Sequence, residues 1–223
     1  MAPPDPRPPT GKPLVGRVVR LDPVTLADAD GLFRVLSDPL VYQQGFRMTE
    51  PLAHPDEAVR FVAAQLAARP GRTAYTVRLV GDSDLGPAGT VVGTSSLGEI
   101  DIENEHVHLG WTTYGSRWWG TTVNPEAKLL LLSHAFDDCG FGRVRIQTDI
   151  VNERSQAAIA RLGGVREGVL RRMVRRADGS WRDTVVFSIL VDEWPAVRTG
   201  LERRLRASPG GPPGPPPGSV SRR

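Results

Sequence analysis

A strand, a short glycine-bearing loop and a strongly marked helix start follow one another at the centre of this chain, and they restrict its fold more than any other stretch. Asn124-Pro125-Glu126 supplies the marks: asparagine as N-cap, proline at the first helical position, and an acid in the first turn. Apolar Leu129–Leu132, Ala135 and Phe136 carry the helix through Ala127–Asp138, and Gly140 stops it. Before it, Glu105–Tyr114 alternates as a strand, with Val107, Leu109 and Trp111 on one face. His106, His108, Gly110 and Thr112 fall on the other face. After the helix, Arg143–Ile150 reads as a further strand.

The flanking sequence extends this pattern. Leu14–Leu21 alternates as a strand, and Thr25 opens a helix that stops before Pro39. Asp56–Ala68 is a second helix, ended by Pro70-Gly71. Thr73–Val80 and Thr90–Leu97 flank a Gly/Asp/Pro-rich turn and predict a hairpin. The acidic residues Glu99, Asp101, Glu103 and Glu105 lie between the last of these strands and the next. Glu153–Leu162 is a short helix ended by Gly163-Gly164. Val165–Val174 and Arg182–Leu190 are strands joined by an Asp178-Gly179 turn, and Asp192–Arg206 is a closing helix. Strands and helices mixed in this order predict an α/β or α+β layered sheet.

Proline marks the domain limits. Residues 1–13 hold 6 of the 20 prolines and residues 207–223 hold 6 more, with no apolar periodicity in either segment. Both are expected to be disordered tails around a folded domain at 14–206. The tails also carry the excess charge behind the net +3, through Arg7, Lys12, Arg222 and Arg223 against Asp5. The domain itself is near neutral, which argues against nucleic acid as its main partner despite a pI of 9.5. Cys139 is the single cysteine, so a disulfide framework and a thiolate metal cluster are excluded. No run reaches the roughly 18 apolar residues of a membrane span. The start MAPPDPRPP has no signal-peptide core, so a cytoplasmic protein without membrane attachment is expected.

The loop Arg117-Trp118-Trp119-Gly120-Thr121-Thr122-Val123-Asn124 feeds a helix N-terminus, where unpaired N–H groups and the helix dipole favour an anion. On the residues alone this fits either a phosphate site or an ordinary capped helix. Arg117-x-x-Gly120-x-Thr122 resembles the Q/R-x-x-G-x-G/A signature of the GNAT superfamily of acyl-CoA N-acyltransferases. Asn152-Glu153-Arg154-Ser155 resembles the N-x-x-S/A element after that family's fifth strand. Residues 109–144, 148–172 and 183–195 are similar, in order, to the RimJ/RimL-like branch.

The resemblance implies a mixed, about seven-stranded GNAT sheet, splayed between strands 4 and 5, that binds acetyl-CoA as co-substrate. It implies a cytoplasmic N-acetyltransferase that moves an acetyl group directly to a primary amine. The acceptor is either a protein N-terminal amine or a small-molecule amine, and a homodimer is compatible with the family. By the same resemblance, the amides of Gly120, Thr121, Thr122 and Val123 bind the CoA pyrophosphate, with Arg117 and Asn124 at the ends of that segment. Trp111, Thr112 and Thr113 offer backbone groups to the pantetheine arm, and Asn152 and Ser155 bond it or fix the second splayed strand. Residues 42–47 are a candidate acceptor contact.

This chain also departs from the family pattern. Thr122 stands where Gly or Ala is usual, and Ile159 stands where many members carry an acid-catalyst tyrosine. An amine must lose a proton to attack a thioester, and His108 is the first candidate base, with Glu99 second. A hydrogen-bonded structural histidine is the competing reading. His106 and His108 lack a third metal ligand, so no metal is expected. Two other functions stay open: a non-catalytic acyl-CoA-binding module, and a ribosome- or RNA-associated protein using the Arg166–Arg182 hairpin.

Overall fold

The computed structural model of the chain describes residues 5–42, 50–68, 71–176 and 178–207. The strands are β1 (Leu14–Val15), β2 (Val19–Pro23), β3 (Arg72–Leu79), β4 (Val91–Asp101), β5 (His106–Tyr114), β6 (Arg143–Asp149), β7 (Val165–Arg175) and β8 (Trp181–Leu190). They form one sheet in the order β1-β2-β3-β4-β5-β6-β8-β7. Neighbours are antiparallel except β5 and β6, which run parallel. The helices are α1 (Ala29–Leu36), α2 (Pro55–Ala67), α3 (Val123–Ser133), α4 (Glu153–Leu162) and α5 (Trp194–Ala207). No helix among the described residues is long and apolar enough to cross a membrane.

Strand alternation divides the core between the two faces of the sheet. On β3, Tyr75, Val77 and Leu79 point to a large cluster that includes Leu131 and Leu132 of α3 and Leu201 of α5. Ala74, just before Tyr75 and facing the other way, joins Leu32, Leu36 and Val62 under α1 and α2. Phe136 and Trp194 stack at 5.5 Å and tie α5 to the end of the α3 segment. That segment ends in a π-helical turn, His134–Asp138, before Cys139. Burial pushes the Cys139 thiol up to about 11, so it is a packed apolar group rather than a thiolate.

The sheet gains its eighth strand because the expected strand at 14–21 breaks at Gly16–Val18. The carboxylate of Glu126 enters that break and accepts the N–H groups of Arg17, Val18 and Val19 at 3.0, 2.7 and 2.6 Å. Gly16 is required there, since a Cβ would lie 2.6 Å from the Glu126 carboxyl carbon. The helix start also differs from the sequence reading. Thr122, not Asn124, precedes α3, and Asn124 and Pro125 lie inside its first turn. Once Glu126 is drawn toward the β1–β2 break, the helix must begin early enough to present it.

Residues 5–13 have no regular structure. The Arg7 N–H donates to the Cys139 carbonyl at 2.9 Å, and Lys12 meets Asp138 at 2.9 Å. Of the segment at 207–223, all but Ala207 lies outside the described residues.

Glu126 is a buried acid with three backbone donors, so Glu126→Gln forces an NH2 group or a weaker acceptor onto them. The substitution is expected to lower the unfolding free energy by about 2 kcal/mol in a urea titration. A loss under about 0.5 kcal/mol would show that the break is held by other means.

Candidate active site

β5 and β6 pair at only three positions: His106 with Arg143, Val107 with Val144, and His108 with Arg145. Beyond His108 the strands separate, and the opening expected between the fourth and fifth strands therefore lies between β5 and β6 once β1 is counted. A bulge in β5 accompanies the separation. Thr94 pairs with Thr113 and Ser96 with Gly110, so Trp111 and Thr112 together oppose Ser95. Trp111 sits at φ 50, a left-handed conformation costly for a bulky residue.

The bulge overturns the predicted facing of this strand. Alternation puts Trp111 opposite His108, yet its ring lies 4.8 Å from the imidazole and covers Gly98. Alternation puts Thr112 beside His108. Its hydroxyl instead accepts a hydrogen bond from Lys128 Nζ of α3 at 2.8 Å and meets Ser95 Oγ at 2.7 Å. One extra residue in the strand exchanges the two faces.

His108 is 4 % exposed. Its Nδ1 lies 3.2 Å from Glu99 Oε1, and the other Glu99 oxygen is bonded to Arg145. Glu99 reaches both because it sits in a second left-handed bulge, at φ 48 in β4. The ring lies over Gly110, where a Cβ would come within 2.6 Å of Nε2. Nε2 is buried with no hydrogen-bond partner among the described residues. Burial, with the charges of Lys128 and Arg182, pulls the His108 pKa down to about 4. His108 is thus neutral at pH 7, and a donated Nδ1–H to Glu99 leaves the Nε2 lone pair open. Glu99, Asp101, His106, Val107, His108, Arg143 and Arg145 line a cavity of about 360 Å³.

At the other end of β5, Arg117 lies in a single 3-10 turn, Ser116–Trp118. Gly120 adopts φ 77, which turns the chain toward α3. Thr121 Oγ donates to the Trp118 carbonyl at 2.7 Å and accepts the Val123 N–H at 3.3 Å. The N–H groups of Gly120 and Thr122 have no protein partner among the described residues. They are the donors an anion would meet.

Across the opening, buried Asn152 caps α4 by accepting the Ser155 N–H at 3.0 Å. The Arg154 guanidinium lies 3.4 Å from the centre of the Trp119 ring, and the Trp119 indole N–H donates to the Tyr114 carbonyl. The loop after β5 and the start of α4 are therefore stacked together across the splay. Tyr42 donates its hydroxyl to the Leu36 carbonyl at 2.7 Å, while residues 43–47 of the predicted acceptor segment lie outside the described residues.

Three residues here had readable but unused signals. Arg145 is in register with His108, Lys128 is the lone charge among apolar Ala127–Leu132, and Arg154 lies within the Asn152–Ser155 element. Lys128 is 8 % exposed, and burial pulls its pKa from 10.5 down to about 7. The unfolded chain thus binds an extra proton between about pH 7 and 10.5, and this group makes stability climb with pH across that window. The rise approaches about 1.4 kcal/mol per pH unit at most. Lys128→Met is expected to abolish the rise and stabilise the protein at pH 7, read by urea unfolding at pH 7, 8 and 9. A wild-type profile already flat over that range would contradict the buried ammonium.

Residues 19–165 match the family model described as "Acetyltransferase (GNAT) domain". Among solved structures, a "putative acetyltransferase" from T. thermophilus is 41% identical with a TM-score of 0.73, covering 86% of this chain and 96% of that one. The Mycobacterium smegmatis RimJ structure with CoA-disulfide superposes at a TM-score of 0.72, covering 92% of this chain and 97% of that chain. At 20% identity it shows a shared fold. The Bacillus subtilis (strain 168) protein "Putative ribosomal N-acetyltransferase YdaF" is 29% identical over 106 residues, 48% of this chain, and the match spans 57% of that relative's length.

Proposed function

The chain belongs to the GNAT acetyltransferase domain family, and on that premise we propose that it transfers an acetyl group from acetyl-CoA directly to a primary amine. Acetyl-CoA supplies the acetyl thioester. The observation that carries this reading is the opening between β5 and β6. It has partnerless N–H groups at the loop end and a buried imidazole with an unpartnered nitrogen at the ladder end, among the described residues.

In this reading the N–H groups of Gly120 and Thr122 hold the CoA pyrophosphate, and Arg117 and Arg154 add positive charge on either side. The backbone of Trp111–Thr113 holds the pantetheine arm along the bulged strand, and the Asn152–Ser155 turn forms the far wall. His108 Nε2 takes the proton from the attacking amine, directly or through one water. Glu99 positions the imidazole and fixes its tautomer, and Arg145 holds Glu99 in place. Backbone N–H groups stabilise the oxyanion as the C–N bond forms; its collapse breaks the C–S bond, and the CoA thiolate leaves and takes a proton from water. Cys139, buried and protonated beyond α3, takes no covalent part. The name of the Bacillus relative favours a protein amine as acceptor over a small-molecule amine.

An amine panel of peptides and small molecules, assayed with acetyl-CoA by free-thiol release, tests this. Turnover is expected, and His108→Ala is expected to lower kcat by about 10²-fold with little change in the KM for acetyl-CoA. Measurable CoA binding with no thiol release from any amine would establish a non-catalytic acyl-CoA-binding module instead.

A further inference from the structure

Arg72 opens β3 and pairs across the ladder with Gly98 of β4, which pairs in turn with His108 of β5. Arg72 and His108 therefore stand in one row, two strand spacings apart on the same sheet. The Trp111 ring fills the space between them, lying over Gly98, 4.8 Å from the imidazole and 4.6 Å from the Arg72 guanidinium carbon. The row works only with glycine at 98, because a Cβ there would come within 2.9 Å of both Arg72 Cγ and the Trp111 ring.

The guanidinium in this row makes no hydrogen bond or ion pair among the described residues, and its Nε is buried without a partner. The buried Nε–H carries the desolvation cost of an unpartnered donor, while the terminal N–H groups stay free to take an anion in place of water. Stacking of the guanidinium on Trp111 offsets part of that cost and fixes the plane of the fork. The carboxylate next to Gly98 in sequence, Glu99, is already engaged by His108 and Arg145. Arg143 is paired with Glu167 and Arg182 with Asp149, whereas Arg172 and Arg175 of β7 lie over Trp181 much as Arg72 lies over Trp111, so what distinguishes Arg72 is its place in the row with His108.

We infer that Arg72 and Trp111 form an anion subsite for the acceptor, which selects amines carrying a carboxylate close to the amine. This rests on the acetyl-transfer reading above and specifies its substrate class. The 4.8 and 4.6 Å legs through Trp111 limit the span from His108 to Arg72. The legs hold that span to about 9.4 Å, so with an in-line hydrogen bond of about 2.9 Å at each end the acceptor's amine and carboxylate stand about 4 Å apart, and farther where the bonds are angled. Two sources share this chemistry: the α-carboxylate of a free amino acid, and the acidic side chain of a first or second residue at a peptide N-terminus. The planar fork engages either one bidentately.

The test pairs each acid with its uncharged amide. One arm compares free amino acids with their amides, and the other compares peptides beginning Ser-Asp with those beginning Ser-Asn. The wild-type kcat/KM is expected to favour the acid by at least tenfold in one arm, which identifies the source. Arg72→Gln is expected to bring that ratio to about one, whereas Arg60→Gln, an exposed cation on α2, leaves it as it was. Thermal melting confirms that the Arg72 variant is folded.

A second measurement needs no turnover. Calorimetric binding of the N-acetylated acid and its amide to the CoA-loaded protein is expected to favour the acid tenfold in wild type, with no preference in Arg72→Gln. Turnover with an acid:amide ratio near one, or a ratio unchanged by Arg72→Gln, overturns the subsite. A binding preference that depends on Arg72, with no thiol release from any amine, keeps the subsite and removes the catalytic reading.

Discussion

The parallel contact of His106–His108 with Arg143–Arg145 is the seam on which the site depends. β1 to β5 lie on one side of it and β6, β8 and β7 on the other, so three residue pairs join the two halves of the sheet. A longer seam would close the opening, and a shorter one would leave the halves joined by helices alone. The bulge at Trp111 sets the length, by turning β5 away just past His108. The seam also places the imidazole at the vertex of the opening, next to the last pair of bonded strands.

The charges around the vertex meet on Glu99. Glu99 is shared between His108 and Arg145, which fixes the ring without making it strongly basic. On the opposite face, Lys128 reaches Thr112 through an apolar layer and donates to its hydroxyl. Its positive charge, together with that of Arg182, helps keep the imidazole neutral. The cost of burying an ammonium here is borne beneath the strand that lines the opening, a common place for stability to be sacrificed.

Much of this was legible from residue pattern, and the failures are instructive. Helical spacing located α2 and α4 closely, and the Asp178-Gly179 turn between β7 and β8 is present, with Gly179 at φ 84. The turn at Gly120 before α3 was readable because a glycine before a helix start has a local physical meaning, and Gly120 does adopt φ 77. The facing of Trp111 and Thr112 was missed because alternation assumes an unbroken strand, and Gly110, just before the bulge, was the one local sign of a break. Asn124 was a sound N-cap by local rules, and it lost to a distant demand, the seating of Glu126 against residues 17–19. The nearness of Arg72 to His108 carried no signal at all, since it comes from register across two neighbouring strands.

The carboxylate of Glu126 has a consequence for how order spreads through the molecule. It belongs to the helix whose N-terminus follows the Gly120 loop, yet its three donors come from the first strands of the sheet. Remove those donors and the acid becomes an uncompensated charge inside the core, which the first turn of α3 can relieve only by unwinding toward solvent. Opening of the sheet's β1–β2 edge and loosening of the loop about a hundred residues later are then a single cooperative event. Protection of the Arg17–Val19 amides from exchange thus reports on the order of the Gly120 loop, at a distance along the chain where no direct contact would be sought.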